Sequence, residues 1–271
     1  MAERRRLTDD GGMVSIAELS DAARHSERIS QKHELVGVEQ TVVCGLDADS
    51  RNEPIRFAAC LARRLGWRLS LVPVPEAATG DERLGRLLAA STRDQAGFVV
   101  TETVGRGASA AALVEFSRGA ACPLIAVPRG APALGTEPIL CGIDSRGPSG
   151  PTARAASRLA NAIGARLRLV HVVSHAQPPE SEADGPRGVV CRALQALDLA
   201  VPVDLVIDEG EPAKRLGELA RREAAALLAV GAPSGDAAGP DGVVAAVLRD
   251  SQVPVMVVPD ETAVTRLSEA A

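Results

Sequence analysis

The chain has 271 residues, with 30 basic and 35 acidic side chains and a formal net charge of −5. That balance argues against a nucleic-acid partner, because binding phosphate needs clustered cations. No tyrosine, one tryptophan and three phenylalanines leave no base-stacking platform either.

Residues 1–39 are polar and lack sustained periodicity, which predicts a flexible N-terminal tail. One short amphipathic helix is foreseen over residues 15–30, opened by a Ser15/Glu18 capping box. Arg4, Arg5 and Arg6 are followed by acidic and polar residues instead of an apolar run. No stretch approaches the roughly 18 apolar residues of a membrane span. The expectation is a cytoplasmic protein with no membrane partner. Five cysteines (Cys44, Cys60, Cys122, Cys141 and Cys191) lie mostly inside apolar patterns, without CxxC or a zinc spacing. They read as buried, reduced thiols, and no metal is expected.

From Thr41 onward, short β-rich runs alternate with amphipathic helices, the pattern of a parallel sheet covered by helices. Strand 41–46 leads to a helix carrying Ile55, Ala58, Ala59, Ala62 and Leu65. Gly66 stops that helix, and strand 68–74 follows. The next helix falls near Asp81–Arg93, and a terminal strand at 123–127.

The same order then returns. Val43-Cys44-Gly45-Leu46-Asp47 is echoed by Leu140-Cys141-Gly142-Ile143-Asp144. Arg56, Ala58, Leu61, Gly66, Leu69, Leu71 and Val72 face Arg154, Ala156, Leu159, Gly164, Leu167, Leu169 and Val170. At the far ends, residues 123–128 match residues 254–259. The offset is 97 residues at the start and 131 at the end, so the second copy holds 34 more. The surplus reads as a helix at 187–198 and a strand at Val201 to Ile207, both missing from the first copy. Losing that strand would turn 68–74 into a sheet edge, where Pro73 and Pro75 are tolerated. The predicted organisation is a tail at 1–39, a truncated domain at 40–130, a complete domain at 136–260 and a tail at 261–271.

This arrangement resembles the universal stress protein family in its tandem form, over about residues 40–260. The resemblance rests on Cys44-Gly45-Leu46-Asp47, Cys141-Gly142-Ile143-Asp144, Gly210-Glu211-Pro212-Ala213 and Leu228-Ala229-Val230-Gly231. It is completed by Cys122-Pro123-Leu124-Ile125 and Val253-Pro254-Val255-Met256. It implies an α/β fold of two Rossmann-like (HUP-type) parallel sheets of strand order 3-2-1-4-5, the first copy lacking one helix and one strand. It also implies stress-related regulatory or binding proteins, some of which bind ATP. Many are dimers or tandem pseudo-dimers joined through their last strands. Here strands 123–127 and 254–258 are expected to pair edge to edge, within the chain or between chains.

In such a sheet, ligands lie beyond the carboxyl ends of strands 1 and 4. Asp47 and Asp144 stand there, as acceptors for ribose or adenine or as caps of loops and helix starts. ATP-binding members resemble one another in a loop of glycine-x2-glycine-x9-glycine-Ser/Thr, whose bare amides cradle phosphates. In the first copy Thr101 stands for the first glycine, Val104 for the second, and Ala110-Ala111 for the final pair. Glu102 adds a negative charge that Arg106 partly offsets. The second copy keeps Gly231, but the next glycine is Gly235, one place late, and Asp241-Gly242 replace the final pair. Pro233 removes an amide donor, and Asp236 and Asp241 repel phosphate.

The leading expectation is a non-enzymatic regulatory or scaffolding protein with degenerate nucleotide sites, no cofactor, and itself or another protein as partner. The alternatives are ATP binding through the second copy, at Asp144, Gly231, Gly235 and Gly242 with Asp47 as the first-copy equivalent, or a slow nucleotide hydrolase. His171 and His175, near the same crevice, offer a general base or a satisfied strand-end histidine. Cys44 and Cys141 offer a minor redox reading.

Overall fold

Two short strands, β4 (Leu124–Val127) and β9 (Val255–Val258), close the two copies, and every residue of both is buried. Four-residue runs with both faces covered read as continuous aliphatic sequence, Leu-Ile-Ala-Val and Val-Met-Val-Val. They pair antiparallel, with Ile125 opposite Met256. This computed structural model describes residues 40–47, 53–75, 78–103, 109–144, 149–174, 186–197, 202–233 and 242–259. The helix foreseen at 15–30 lies outside them.

Leading to β4, the first copy runs β1 (Thr41–Asp47), α1 (Glu53–Leu65), β2 (Arg68–Val74), α2 (Gly80–Arg93), β3 (Ala96–Glu102) and α3 (Ala110–Gly119). The second runs β5 (Ile139–Gly142), α4 (Ser149–Ile163), β6 (Leu167–Val173), α5 (Pro186–Gln195), β7 (Val203–Glu209), α6 (Pro212–Arg222), β8 (Leu227–Gly231) and α7 (Val243–Asp250) before β9. The extra helix and strand are α5 and β7, and the strand begins two residues later than its sequence pattern suggested.

Among the described residues the sheet has nine strands, in the order β2-β1-β3-β4-β9-β8-β5-β6-β7. All neighbours are parallel except β4 and β9. The second copy thus has the order 3-2-1-4-5, and the first has the same order without its outer strand. The two expected sheets are fused into one by the β4–β9 ladder. Strand β2 is an edge, and Pro73 and Pro75 are exposed there. A proline has no N–H for a further ladder, so this edge is blunted against another chain.

Local signals explain the helices. In α1, Phe57, Ala58, Leu61 and Ala62 are buried while Arg56, Ala59 and Arg63 are exposed, an apolar stripe at helical spacing. A Thr79/Glu82 capping box opens α2: the Thr79 hydroxyl accepts from Glu82 N at 3.3 Å, and Glu82 accepts from Thr79 N at 2.8 Å. Gly66 and Gly164 end α1 and α4 with φ of 69° and 72°, left-handed backbone that favours glycine.

Helices cover both faces, giving three layers. On one face α1, α4 and α5 bury Phe57, Leu61, Leu159 and Val189; on the other α2, α3, α6 and α7 bury Leu87, Leu113, Leu219 and Leu248. Each core draws side chains from both copies. The connection between the copies joins in, with Ala131 and Leu134 buried. Cys60 Sγ donates to the Leu134 carbonyl at 3.3 Å, and Arg64 donates to the Ile163 carbonyl at 2.8 Å. Among the described residues, no helix is long and apolar enough to cross a membrane.

Candidate functional site: the crevice beyond strands β5 and β8

The switch point of the second copy lies between β5 and β8. Cys141 sits beside Ala229 in their parallel ladder, so two residues on Ile143 comes level with Gly231. Asp144 follows directly and is exposed at the carboxyl edge. Its loop is fastened to the helix that follows. The Ser149 hydroxyl, buried at the start of α4, accepts from Asp144 N at 2.9 Å and donates to the Asp144 carbonyl at 2.5 Å. One hydroxyl thereby satisfies both backbone groups of the residue that carries the crevice carboxylate.

A second tie runs below it. His171 is buried, with Nδ1 2.9 Å from the Ile143 carbonyl. A carbonyl can only accept, so Nδ1 carries the proton. His171 stands within β6 and secures the exit of β5, as a satisfied strand histidine does. His175 lies outside the described residues.

Gly231 ends β8 beside Val258, and Ala232 N donates to the Val258 carbonyl at 2.7 Å. Pro233 follows, so its nitrogen offers no donor. Gly242 is the N-cap of α7 and, having no side chain, caps none of the amides of that first turn itself. Gly235, Asp236 and Asp241 lie outside the described residues. The structure therefore brings Asp144 and Gly231 to one edge and sets Gly242 at the head of α7.

The first copy is built differently at the same place. Val99 pairs Leu124 as Leu228 pairs Val255, and Thr103 N reaches Val127 O as Ala232 N reaches Val258 O. By that register Gly231 corresponds to Glu102, not to Thr101, which corrects the residue count by one. Arg129 donates from Nε to Glu102 at 2.7 Å, and Gly130 N donates to Glu53 at 3.3 Å. The counter-ion of Glu102 is thus Arg129; Arg106, expected to offset it, lies outside the described residues, as does Val104. Ala110 and Ala111, which stand at the final loop positions, form the first turn of α3, and Ser109 Oγ accepts from Ala112 N at 3.1 Å. That helix start is self-capped. For Asp47 only the backbone is described, as the end of β1 paired with Val74.

Three residues escaped the sequence reading: Arg129, Ser149 and Ser109. Arg129 follows Pro128 just past β4, a position on the carboxyl edge, and that was the available signal. Ser109 carried a helix N-cap signal as well.

The cysteines are sorted by burial. Cys44 and Cys141 are fully buried, and burial pushes each thiol up to about 12, as it does for Cys122. Thiolate chemistry needs the opposite shift, which removes the redox reading of Cys44 and Cys141. Cys191 on α5 is the exposed one. No group of three metal-ligating side chains occurs among the described residues.

Residues 135–259 match the model of the Universal stress protein family. The second copy therefore carries that family's domain. The match covers the second copy, which supplies every element of the complete fold. A functionally unknown protein from Pseudomonas aeruginosa PAO1 is similar across both copies, at 15% identity and a TM-score of 0.51, covering 96% of this chain and 94% of that one. A universal stress protein from Archaeoglobus fulgidus is similar at 16% identity and a TM-score of 0.53, covering 91% and 93%. These likenesses extend the fold over both copies. A universal stress protein solved in complex with cAMP is 26% identical over 46% of this chain and 98% of its own, at a TM-score of 0.37. No curated protein matches the chain.

Proposed function

We propose that the chain as a whole is a tandem universal stress protein with a non-enzymatic regulatory or scaffolding role, whose two crevices do not hold a nucleoside triphosphate tightly. The observation that carries the reading is the pair of altered phosphate positions. In the first copy Glu102 takes the place of the first glycine, held by Arg129, and the helix beyond is capped by Ser109. In the second, Pro233 removes an amide two residues after Gly231. A triphosphate needs converging amides, and a carboxylate repels it. Equilibrium dialysis with ATP should give no binding at micromolar concentrations, and the purified chain should release no phosphate above buffer. Micromolar affinity would overturn the reading.

A second reading has one specific support. Asp144, fastened by Ser149, and Gly231 share an edge in the second copy, and the N-cap of α7 is a glycine. In that reading ATP binds there alone, and Asp144→Ala abolishes binding while Asp47→Ala leaves it unchanged. Equal affinity in Asp144→Ala and wild type would end it.

A further inference from the structure

Leu71 and Leu169 hold equivalent places on β2 and β6, yet Leu71 is 42% exposed and Leu169 is fully buried. Leu46 is 37% exposed against 4% for its counterpart Ile143. On the helices, Ala59 is exposed and Ile55 half-buried, whereas their counterparts Ser157 and Ala153 are fully buried. Four matched pairs shift the same way on one face.

For the helix and β6 positions the cause is visible. Helix α5 lies on α4 and β6 and buries Val189, Val190, Ala193 and Leu197 in the core of that face. Among the described residues the first copy has no such helix, so its α1/β2 face keeps the surface that a helix covers in the second. Single exposed leucines need no explanation, but a contiguous apolar face marks a contact surface.

The rim of that face is basic. Arg56, Ala59 and Arg63 follow one another at spacings of three and four along α1, so they form one exposed stripe. The one acid of α1, Glu53, stands in its first turn and accepts from Gly130 N. An occupant must therefore bring apolar side chains at helical spacing and negative charge along its flank.

We propose that the α1/β2 face of the first copy docks an acidic amphipathic helix of a partner protein. Its apolar stripe covers Leu46, Ile55, Ala59 and Leu71, and its acids face Arg56 and Arg63. The bound helix takes the place that α5 fills in the second copy. This names the partner class for the scaffolding reading above and rests on that reading only in requiring a protein partner.

The test uses a labelled synthetic peptide of about 14 residues, with leucine and alanine at helical spacing and glutamate elsewhere, followed by fluorescence anisotropy against the full chain without nucleotide. The acidic peptide binds, and its lysine counterpart binds at least about tenfold more weakly. Leu71→Asp and Ala59→Glu, each folded by circular dichroism, lower affinity about tenfold, and Arg56→Glu/Arg63→Glu removes the preference for acid. No binding, or binding that neither Leu71→Asp nor Ala59→Glu weakens, overturns the proposal. So does sedimentation showing a homodimer that Leu71→Asp dissociates, since a second copy then covers the face. Hydrogen exchange showing residues 15–30 protected in wild type and exposed in Leu71→Asp overturns it in favour of the chain's own segment. ATP binding in dialysis would remove the non-binding reading and leave the peptide result standing.

Discussion

Glu102 and Gly231 occupy the same position in two copies of one fold, the last residue of the strand beside the switch point. A side chain with a carboxylate thus stands where the other copy has none. Its partner Arg129 is exposed, and exposed pairs contribute little because water and salt screen them. Glu102→Gln should therefore leave the thermal melting midpoint unchanged by circular dichroism. A clear loss of stability would mean that the pair braces β3 against the turn after β4, beyond simply occupying the crevice.

The shared cores predict cooperative unfolding of the two copies. Ile125 and Met256 are fully buried and face each other across the β4–β9 ladder. Ile125→Ala should cost about 2–5 kcal/mol and lower a single urea transition, read alike by circular dichroism and by the fluorescence of Trp67. Two separated transitions would show that the copies unfold independently.

Thiol reactivity should follow burial. Among the described cysteines, Cys191 should react rapidly with a thiol reagent, half-buried Cys60 slowly, and Cys44, Cys122 and Cys141 only on unfolding. Cys191→Ser should abolish the fast phase. Rapid labelling of Cys44 or Cys141 in the native protein would restore their redox reading.

The same burial fixes an alkaline limit. A thiol held at about 12 in the fold, against an ordinary 9.0, keeps its proton longer in the native state than in the unfolded chain. The unfolded state then binds fewer protons, so stability is fully present below about pH 9 and falls as pH rises from 9 towards 12. Urea midpoints across that range should decline, and Cys44→Ala should flatten the decline.

Gly66 and Gly164 share a left-handed backbone, and a Cβ at either position meets nothing within 4 Å. Substitution by alanine is therefore a question of backbone energy alone. Gly66→Ala and Gly164→Ala should each cost about 1 kcal/mol in denaturant titration. A neutral result at either helix end would show that the turn relaxes there.

Much of this architecture was legible because repetition doubles every signal. The matched set around Gly66 and Gly164 placed both helix ends, and Pro73 with Pro75 marked the free edge. Less was legible at the site. Strands β3 and β8 share almost no residues, so no residue pattern ties one register to the other, and the glycine position fell on Thr101 instead of Glu102. Arg129 and Ser149 act across turns whose geometry the chain does not spell out. Leu71 and Leu169 look equal in sequence; only the absent helix makes one of them wet.

The antiparallel ladder between β4 and β9 reverses strand direction halfway across the sheet. Carboxyl ends of the first four strands consequently point one way, and those of the remaining five point the other. The Glu102 and Asp144 crevices open at opposite poles of a continuous sheet, so no small molecule can bridge them. Whatever one pole engages, the other is free to meet something else.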